Sequence, residues 1–269
     1  MENYYFDDET LVYDAEDMDG TPIRVYSNGV AWQSATYLSD ERKYDLVFPY
    51  MRKFNTAFET EKEIKKVLLI GGAGYSYPKY VISHYPEVSM DVVDTNPSAF
   101  EIAWQHFFLE DLYRDYQLYD NERLVSYEDD GYSFLEESDE TYDLIIDDAF
   151  MDMEMVFELT NYEAFELMKD HLSENGILMF NVPGERRVLH NRHLLMLDNT
   201  LKQLFRYTTV IPAFTTPYEK SGNYILMASD TELPESIIND TYVNVPVIYE
   251  KDIPLLEEAY RKFSDYFQK

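Results

Sequence analysis

The stretch VLLIGGAGYSYPKY, Val67–Tyr80, decides how the rest of the chain is read. Only nine glycines occur in 269 residues, and three of them, Gly71, Gly72 and Gly74, fall within four positions here. They follow a short apolar run and precede a segment with helical spacing, in which Pro78 suits the first turn. A glycine turn between strand and helix lets backbone approach a ligand, because glycine adopts left-handed φ values and carries no Cβ. A turn that only packs helix on strand is the alternative. A second feature weighs against it: Asp94, at the end of the next apolar run in DVVDTN, lies 23 positions after Gly71. A carboxylate at that place accepts hydrogen bonds from ribose hydroxyls.

Outward from this unit, strand-like and helix-like segments alternate. PSAFEIAWQHFF reads as a helix starting at Pro97, and RLVSYEDDG and YDLIIDDAF as strands. TNYEAFELMKDHLSENG reads as a helix with an Asn or Gly stop, ILMFNVPG as a strand and RHLLMLDNTLKQLF as a helix. Such alternation predicts a mainly parallel sheet with helices on both faces. Two late strands with no helix between them, Tyr207–Phe214 and Asn223–Ser229, predict an antiparallel hairpin at one edge. Before the glycine turn, Ile23–Leu38 is rich in β-formers around a Ser27–Gly29 turn and predicts a small hairpin region. Lys43–Phe58 has helical spacing interrupted by Pro49. IPLLEEAYRKFSDYF predicts a terminal amphipathic helix. We expect a small N-terminal β-region, 1–58, followed by a Rossmann-like nucleoside-binding catalytic domain, 59–269.

Composition narrows the function. The formal net charge is −30, which disfavours nucleic acid and anionic membranes as partners and favours cations, amines included. The plainer role of such charge is solubility. Without any cysteine there are no disulfides, thiolate metal sites or cysteine nucleophiles. The acidic, aromatic first residues are unlike a signal peptide, and no apolar run approaches the ~18 residues of a membrane span. A cytoplasmic protein is expected. The five histidines are dispersed, so no metal site is expected and surface or core roles suit them.

The dinucleotide fingerprint G-x-G-x-x-G lacks its third glycine in Gly71-Gly72-Ala73-Gly74-Tyr75-Ser76, which favours an adenosyl ligand without pyrophosphate over NAD. In EDDGYSFL, Asp130 is the candidate acceptor for an adenine amino group, with Gly131 giving room; a plain strand-to-helix turn is the alternative. In LIIDDAF, successive residues point to opposite faces, so one of Asp147 and Asp148 meets the ligand cleft and the other is structural or solvated. GERR, Gly184–Arg187, is either a basic loop or a contact for an anionic substrate group.

Together, GVAWQSATYLSDERKYDLVFPY, VLLIGGAGYSYPKY, DVVDTNPSAFEIA, DDGYSFL and YDLIIDDAF resemble spermidine synthase and its relatives, over roughly Ile23–Ser229. The resemblance implies the class I fold of S-adenosylmethionine-dependent methyltransferases, a doubly wound, mainly parallel seven-stranded α/β sheet with a small N-terminal β-region. It implies a donor site containing Gln33, Gly71, Gly72, Gly74, Tyr75, Asp94, Asp130 and Gly131, with Gln33 on the donor, Asp94 on ribose and Asp130 on adenine. It implies Asp148 as the group on the attacking amine, with Tyr44 or water relaying the proton, and Tyr75 and Trp32 excluding water and facing the cation. The donor would be S-adenosylmethionine or its decarboxylated form, and the acceptor a small-molecule amine of polyamine biosynthesis. Dimers are implied too, paired through an exposed edge or apolar patch of the β-region.

Three departures stand out. The family's G-G-G-D-G-G turn has Gly74 in place of its aspartate, which removes an anchor for a cationic donor tail and repulsion against a carboxylated one. The family's D-S-S-D-P has Met151 in place of the second acid, with Asp152 one position late. The family's Y-H-E falls at Tyr44-Asp45-Leu46. Aminopropyl transfer is therefore the leading expectation, with methyl transfer and non-catalytic nucleoside binding as alternatives.

Overall fold

The computed structural model describes residues 3–5, 10–151, 154–216, 218–237 and 245–259. Strands β1 (Asn3–Tyr5), β2 (Leu11–Glu16), β3 (Pro22–Ser27) and β4 (Trp32–Tyr37) form an antiparallel N-terminal sheet in that order. The turn at Ser27–Gly29 joins β3 to β4: the Asn28 side chain accepts from the amides of Val30 and Ala31. The sequence reading missed β2, whose one fully buried side chain is Val12. Its alternation is too weak to show; the full-length pairing with β3 forms it.

Pro49 opens helix α1 (Pro49–Phe54) rather than interrupting one. A proline at the first helical position gives up an amide hydrogen that has no partner there in any case. Met51 and Phe54 of α1 are buried in the same apolar cluster as Val67, Leu69, Ile225 and Met227.

From Lys66 the chain alternates. In order come β5 (Lys66–Ile70), α2 (Ser76–His84), β6 (Ser89–Asp94), α3 (Ala99–His106), α4 (Leu109–Asp115), α5 (Leu118–Asn121), β7 (Leu124–Glu128), α6 (Gly131–Glu137) and β8 (Tyr142–Asp147). A short antiparallel pair follows, β9 (Phe150–Met151) with β10 (Glu154–Met155). Then come α7 (Tyr162–Asp170), β11 (Leu172–Glu185), α8 (Arg192–Leu201), β12 (Tyr207–Ala213) and β13 (Ser221–Ser229). Seven strands form one sheet in the order β12-β13-β11-β8-β5-β6-β7. β13 alone runs against the other six strands, inserted between β11 and the edge strand β12. This is the doubly wound, mainly parallel α/β sheet implied by the alternation. The late hairpin is present at one edge of the sheet, formed by β12 and β13.

Some boundaries differ. The helix read from Pro97 begins at Ala99, because the Asn96 side chain accepts the Ser98 amide before it. The helix read through to Gly176 ends at Asp170, and β11 starts at Leu172 with a bulge before Ile177. The terminal helix is present over 253–259, and its remainder lies outside the described residues.

Strand periodicity sorts the sheet into two faces. Val67, Leu69, Leu144, Ile146, Ile177, Met179, Ile225 and Met227 join the cluster under α1. Leu68, Ile70, Ile145, Leu178, Phe180 and Leu226 join the opposite one. The N-terminal sheet is fastened to the larger one by buried polar contacts. The Ser34 and Ser76 hydroxyls lie 2.7 Å apart, and Ser76 also donates to the Ala35 carbonyl. Lys79, 1% exposed, donates to Thr36 Oγ1 and to the carbonyls of Lys43 and Phe107 at 2.5–3.1 Å. Burial pushes its pKa down to about 7, while three acceptors match the three donors of an ammonium group.

Candidate functional site

Strand order reverses between β5 and β8, and ligands of open α/β sheets bind beyond the strand tips at such a point. A cleft of about 1450 Å³ opens there. It exceeds the roughly 300–1,000 Å³ common for one small ligand, which suits two reactants held together.

The glycine turn forms one wall. Gly71 has φ +95°, and a Cβ on it would lie 2.6 Å from the backbone oxygen of Asp148, so two strand tips meet at a point where only glycine fits. Asp94 stands across the turn. Its Oδ2 accepts from the amides of Gly72 (2.7 Å) and Ala73 (2.9 Å), and its Oδ1 from Asn96 (2.8 Å). The carboxylate braces the turn and lines the cleft at once. Two carboxylate oxygens carry about four acceptor positions, so three amides leave capacity for a ligand hydroxyl.

Gly74 and Tyr75 are placed otherwise than the sequence suggested. A Cβ on Gly74 would come within 2.7 Å of Ser34 Oγ and 3.0 Å of Phe107. The position faces the N-terminal sheet, and close packing there explains the absent side chain better than an opened donor site. Tyr75 adopts φ +56°, which turns its ring inward to 2% exposure, edge-on to Phe100. Burial raises its pKa. Trp32, 47% exposed, does line the cleft, and its indole N–H donates to the Tyr13 hydroxyl. Gln33, beside it, also lines the cleft.

At the tip of β7, Asp130 caps α6, accepting from the amides of Tyr132 (3.1 Å) and Ser133 (3.0 Å). It is exposed, and with Asp129 it lines the cleft. Gly131 has a packing reason: a Cβ would lie 2.5 Å from Ile70 Cγ2, so α6 starts tight against β5.

Strand parity separates the two aspartates after β8. Asp147 follows Ile145 onto one face, where it is 3% exposed and accepts from the Ala149 amide. Burial raises its pKa, with a smaller contribution from Asp148. Asp148 follows Leu144 and Ile146 onto the α1 face, half-buried at the cleft floor. Its Oδ2 accepts from the Tyr50 hydroxyl (3.0 Å) and its Oδ1 from Asn181 Nδ2 (2.8 Å); Asn181 Oδ1 in turn accepts from Asn223 Nδ2 (2.7 Å). Burial pushes the Asp148 pKa up to about 7, against the two hydrogen bonds, which lower it.

The tyrosine that reaches Asp148 is therefore Tyr50. Tyr44 is absent from the cleft lining; its hydroxyl donates to Asp115 at 2.9 Å and its ring meets Tyr116 edge-on. Burial and then Asp115 raise the Tyr44 pKa, and burial and then Asp148 raise that of Tyr50, so both phenols stay protonated donors. Sequence reading missed Tyr50, Asn181 and Asn223. The signal for the two amides was present: they continue the parity of Ile177–Met179 and Ile225–Met227.

The Gly184–Arg187 loop meets the cleft through Gly184 and Glu185. Arg186 instead donates to the Thr216 carbonyl and stacks over Phe214, and Glu185 lies 3.3 Å from His190. Asp152 lies outside the described residues. Among the described residues no three His, Cys, Asp or Glu side chains gather as a metal site, and no helix is long and apolar enough to cross a membrane.

This strand order, with a cleft at its switch point, defines a methyltransferase-like α/β fold. Within that class the chain belongs to the spermine/spermidine synthase family: a model of the spermine/spermidine synthase domain matches residues 54–239, more than half of the chain. A polyamine aminopropyltransferase of Vibrio vulnificus is 26% identical over 197 residues, 72% of this chain and 59% of that protein. The match thus spans less than two thirds of that relative's length. A solved probable spermidine synthase from Corynebacterium glutamicum superposes with a TM-score of 0.69 at 21% identity, over 86% of this chain and 81% of that one. Spermidine synthase of Thermotoga maritima gives 0.61 at 16% identity, over 93% and 81%. At these identities the likeness to the solved structures is one of fold.

Proposed function

We propose that the chain transfers an aminopropyl group from decarboxylated S-adenosylmethionine to a small-molecule amine. The observation that carries this reading is Asp148, a carboxylate held by Tyr50 and Asn181 in a cleft roomy enough for two reactants. Family membership, and the names of curated relatives such as the Vibrio protein, support the same chemistry.

In this reading Asp94 holds the ribose, Asp130 and Asp129 face the adenine, and Gln33 and Trp32 close over the donor. The donor's sulfonium makes the attached methylene carbon electrophilic. An amine attacks only with its lone pair free. Asp148 draws the ammonium in, accepts its proton and aims the nitrogen, while Tyr50 donates to the other carboxylate oxygen. A carbon–nitrogen bond forms as the carbon–sulfur bond breaks, and the electron pair leaves on sulfur as the neutral thioether methylthioadenosine. Holding both reactants in line contributes several kcal/mol to lowering the barrier.

A second reading, methyl transfer from the carboxylated donor, is favoured by one feature: the turn presents Gly71, Gly72 and Ala73 to the cleft, with no acid for a cationic donor tail. The two separate by product. Incubation with each donor and a panel of di- and polyamines, followed by mass spectrometry, yields methylthioadenosine and an aminopropylated amine on the first reading. S-adenosylhomocysteine as the product would replace the first reading by the second, and no product with either donor would defeat both.

The rate should also depend on pH in a definite direction. Below about 7 Asp148 carries a proton and cannot accept one, so turnover at saturating acceptor falls on the acid side and rises through that value. A rate that is flat across this range would remove Asp148 as the proton acceptor.

A further inference from the structure

Asp148 takes one hydrogen bond from α1 and one from β11, and the second depends on a third residue. The Asn181 side chain, 3% exposed, has an oxygen and a nitrogen of nearly equal shape. Presented to Asp148, the nitrogen stabilises a carboxylate and the oxygen repels it. Asn223, two register positions along β13 from the partner of Asn181, donates its Nδ2 to Asn181 Oδ1 at 2.7 Å. The two contacts agree on one orientation of Asn181, with its nitrogen on Asp148 Oδ1 at 2.8 Å.

We propose that Asn223 and Asn181 form an amide relay that positions Asp148: Asn223 fixes which end of Asn181 faces the carboxylate, and Asn181 holds that carboxylate charged and aimed into the cleft. Both are positioning residues, acting through Asp148. The inference deepens the transferase reading and rests on it for its consequence in turnover. Among the described residues, the titratable groups that meet Asp148 are Tyr50 on α1 and its own neighbour Asp147. Strand β5 meets it with the backbone at Gly71, and β11 and β13 with the neutral amides. A change at Asn223 that leaves Tyr50 and Asp147 in place therefore reports on the relay.

The test is carboxyl carbon NMR titration of the unliganded full chain, with the Asp148 signal identified by its loss in Asp148→Asn. Leucine is close to asparagine in size and neither donates nor accepts, so Asn223→Leu breaks the relay at its outer end. The expected result is an upward shift of the Asp148 midpoint by roughly half to one pH unit. Asn181→Leu should shift it at least as far. In that background Asn223→Leu should add nothing further, since Asn223 acts only through Asn181. The acid limb of the rate profile should move with the NMR midpoint. An unchanged midpoint in Asn223→Leu, or an equal added shift in the Asn181→Leu background, overturns the relay. Should Asn181→Leu fail to fold, the single Asn223→Leu shift decides. The titration needs no turnover, so absence of transfer activity defeats the functional reading and leaves this result intact.

Discussion

Asp148→Asn is expected to lower turnover by about 10²–10⁴-fold while leaving nucleoside affinity unchanged. The magnitude is that of a positioned proton acceptor. Asparagine fits the same volume and preserves both local contacts: its oxygen can accept from Asn181, and its amide can donate to the Tyr50 oxygen, which is protonated and free to rotate. On the proposed mechanism, what disappears is the charge that draws an ammonium group and the oxygen that takes its proton. Because Asp148 shares no hydrogen-bond partner with Asp94 or Asp130, the proposed nucleoside contacts keep their groups. Calorimetric titration with methylthioadenosine, alongside steady-state rates, checks the two halves. Retained turnover would remove the assigned role. Loss of nucleoside binding would mean that the variant disturbs the cleft as a whole.

Gly71→Ala is expected to damage both fold and site. The residue holds φ +95°, and the new methyl carbon would sit 2.6 Å from the Asp148 carbonyl oxygen and 2.8 Å from its carbon. The backbone conformation costs about 1–3 kcal/mol for a residue with a side chain, and forcing an atom into packed backbone about 1–3 kcal/mol more. Denaturant unfolding should show a loss of about 2–6 kcal/mol, with nucleoside binding lost as the turn and the Asp148 backbone part. Gly20→Ala is the matched control. Gly20 also has positive φ, +77°, yet a Cβ there would meet nothing within 4 Å. It should carry the backbone penalty alone and leave binding intact. Equal losses in the two variants would contradict the close approach of the two strand tips.

These expectations show which parts of the site a linear reading reaches. The glycine turn, Asp94, Asp130 and Asp148 each lie at or just beyond the carboxyl end of a strand, and the topology of a doubly wound sheet carries strand tips to one place. Local pattern therefore sufficed to bring them together. Tyr50 comes from a different source. It sits on α1, ahead of the central sheet in sequence, and reaches Asp148 because Met51 and Phe54 anchor that helix on the sheet face. Pro49 opens that helix instead of interrupting it, and the motif resemblance pointed to Tyr44, whose hydroxyl is taken by Asp115. Gly74 and Tyr75 misled for a related reason. Their motif positions suggested ligand contact, but left-handed backbone at Tyr75 and the approach of Ser34 to Gly74 turn both toward protein. Neither Ser34 nor the N-terminal sheet's position against α2 is encoded near the turn. Asn181 and Asn223 were legible in principle, as polar interruptions of two buried strands whose parity matches that of Asp148. Their convergence required the knowledge that β13 inserts beside β11.

A crystal structure of the protein soaked with methylthioadenosine tests the central claim most directly. The account predicts the sugar hydroxyls on Asp94, the base against Asp129–Gly131, and the thioether pointing toward Asp148. A nucleoside found elsewhere, or one whose sulfur turns away from Asp148, would contradict it.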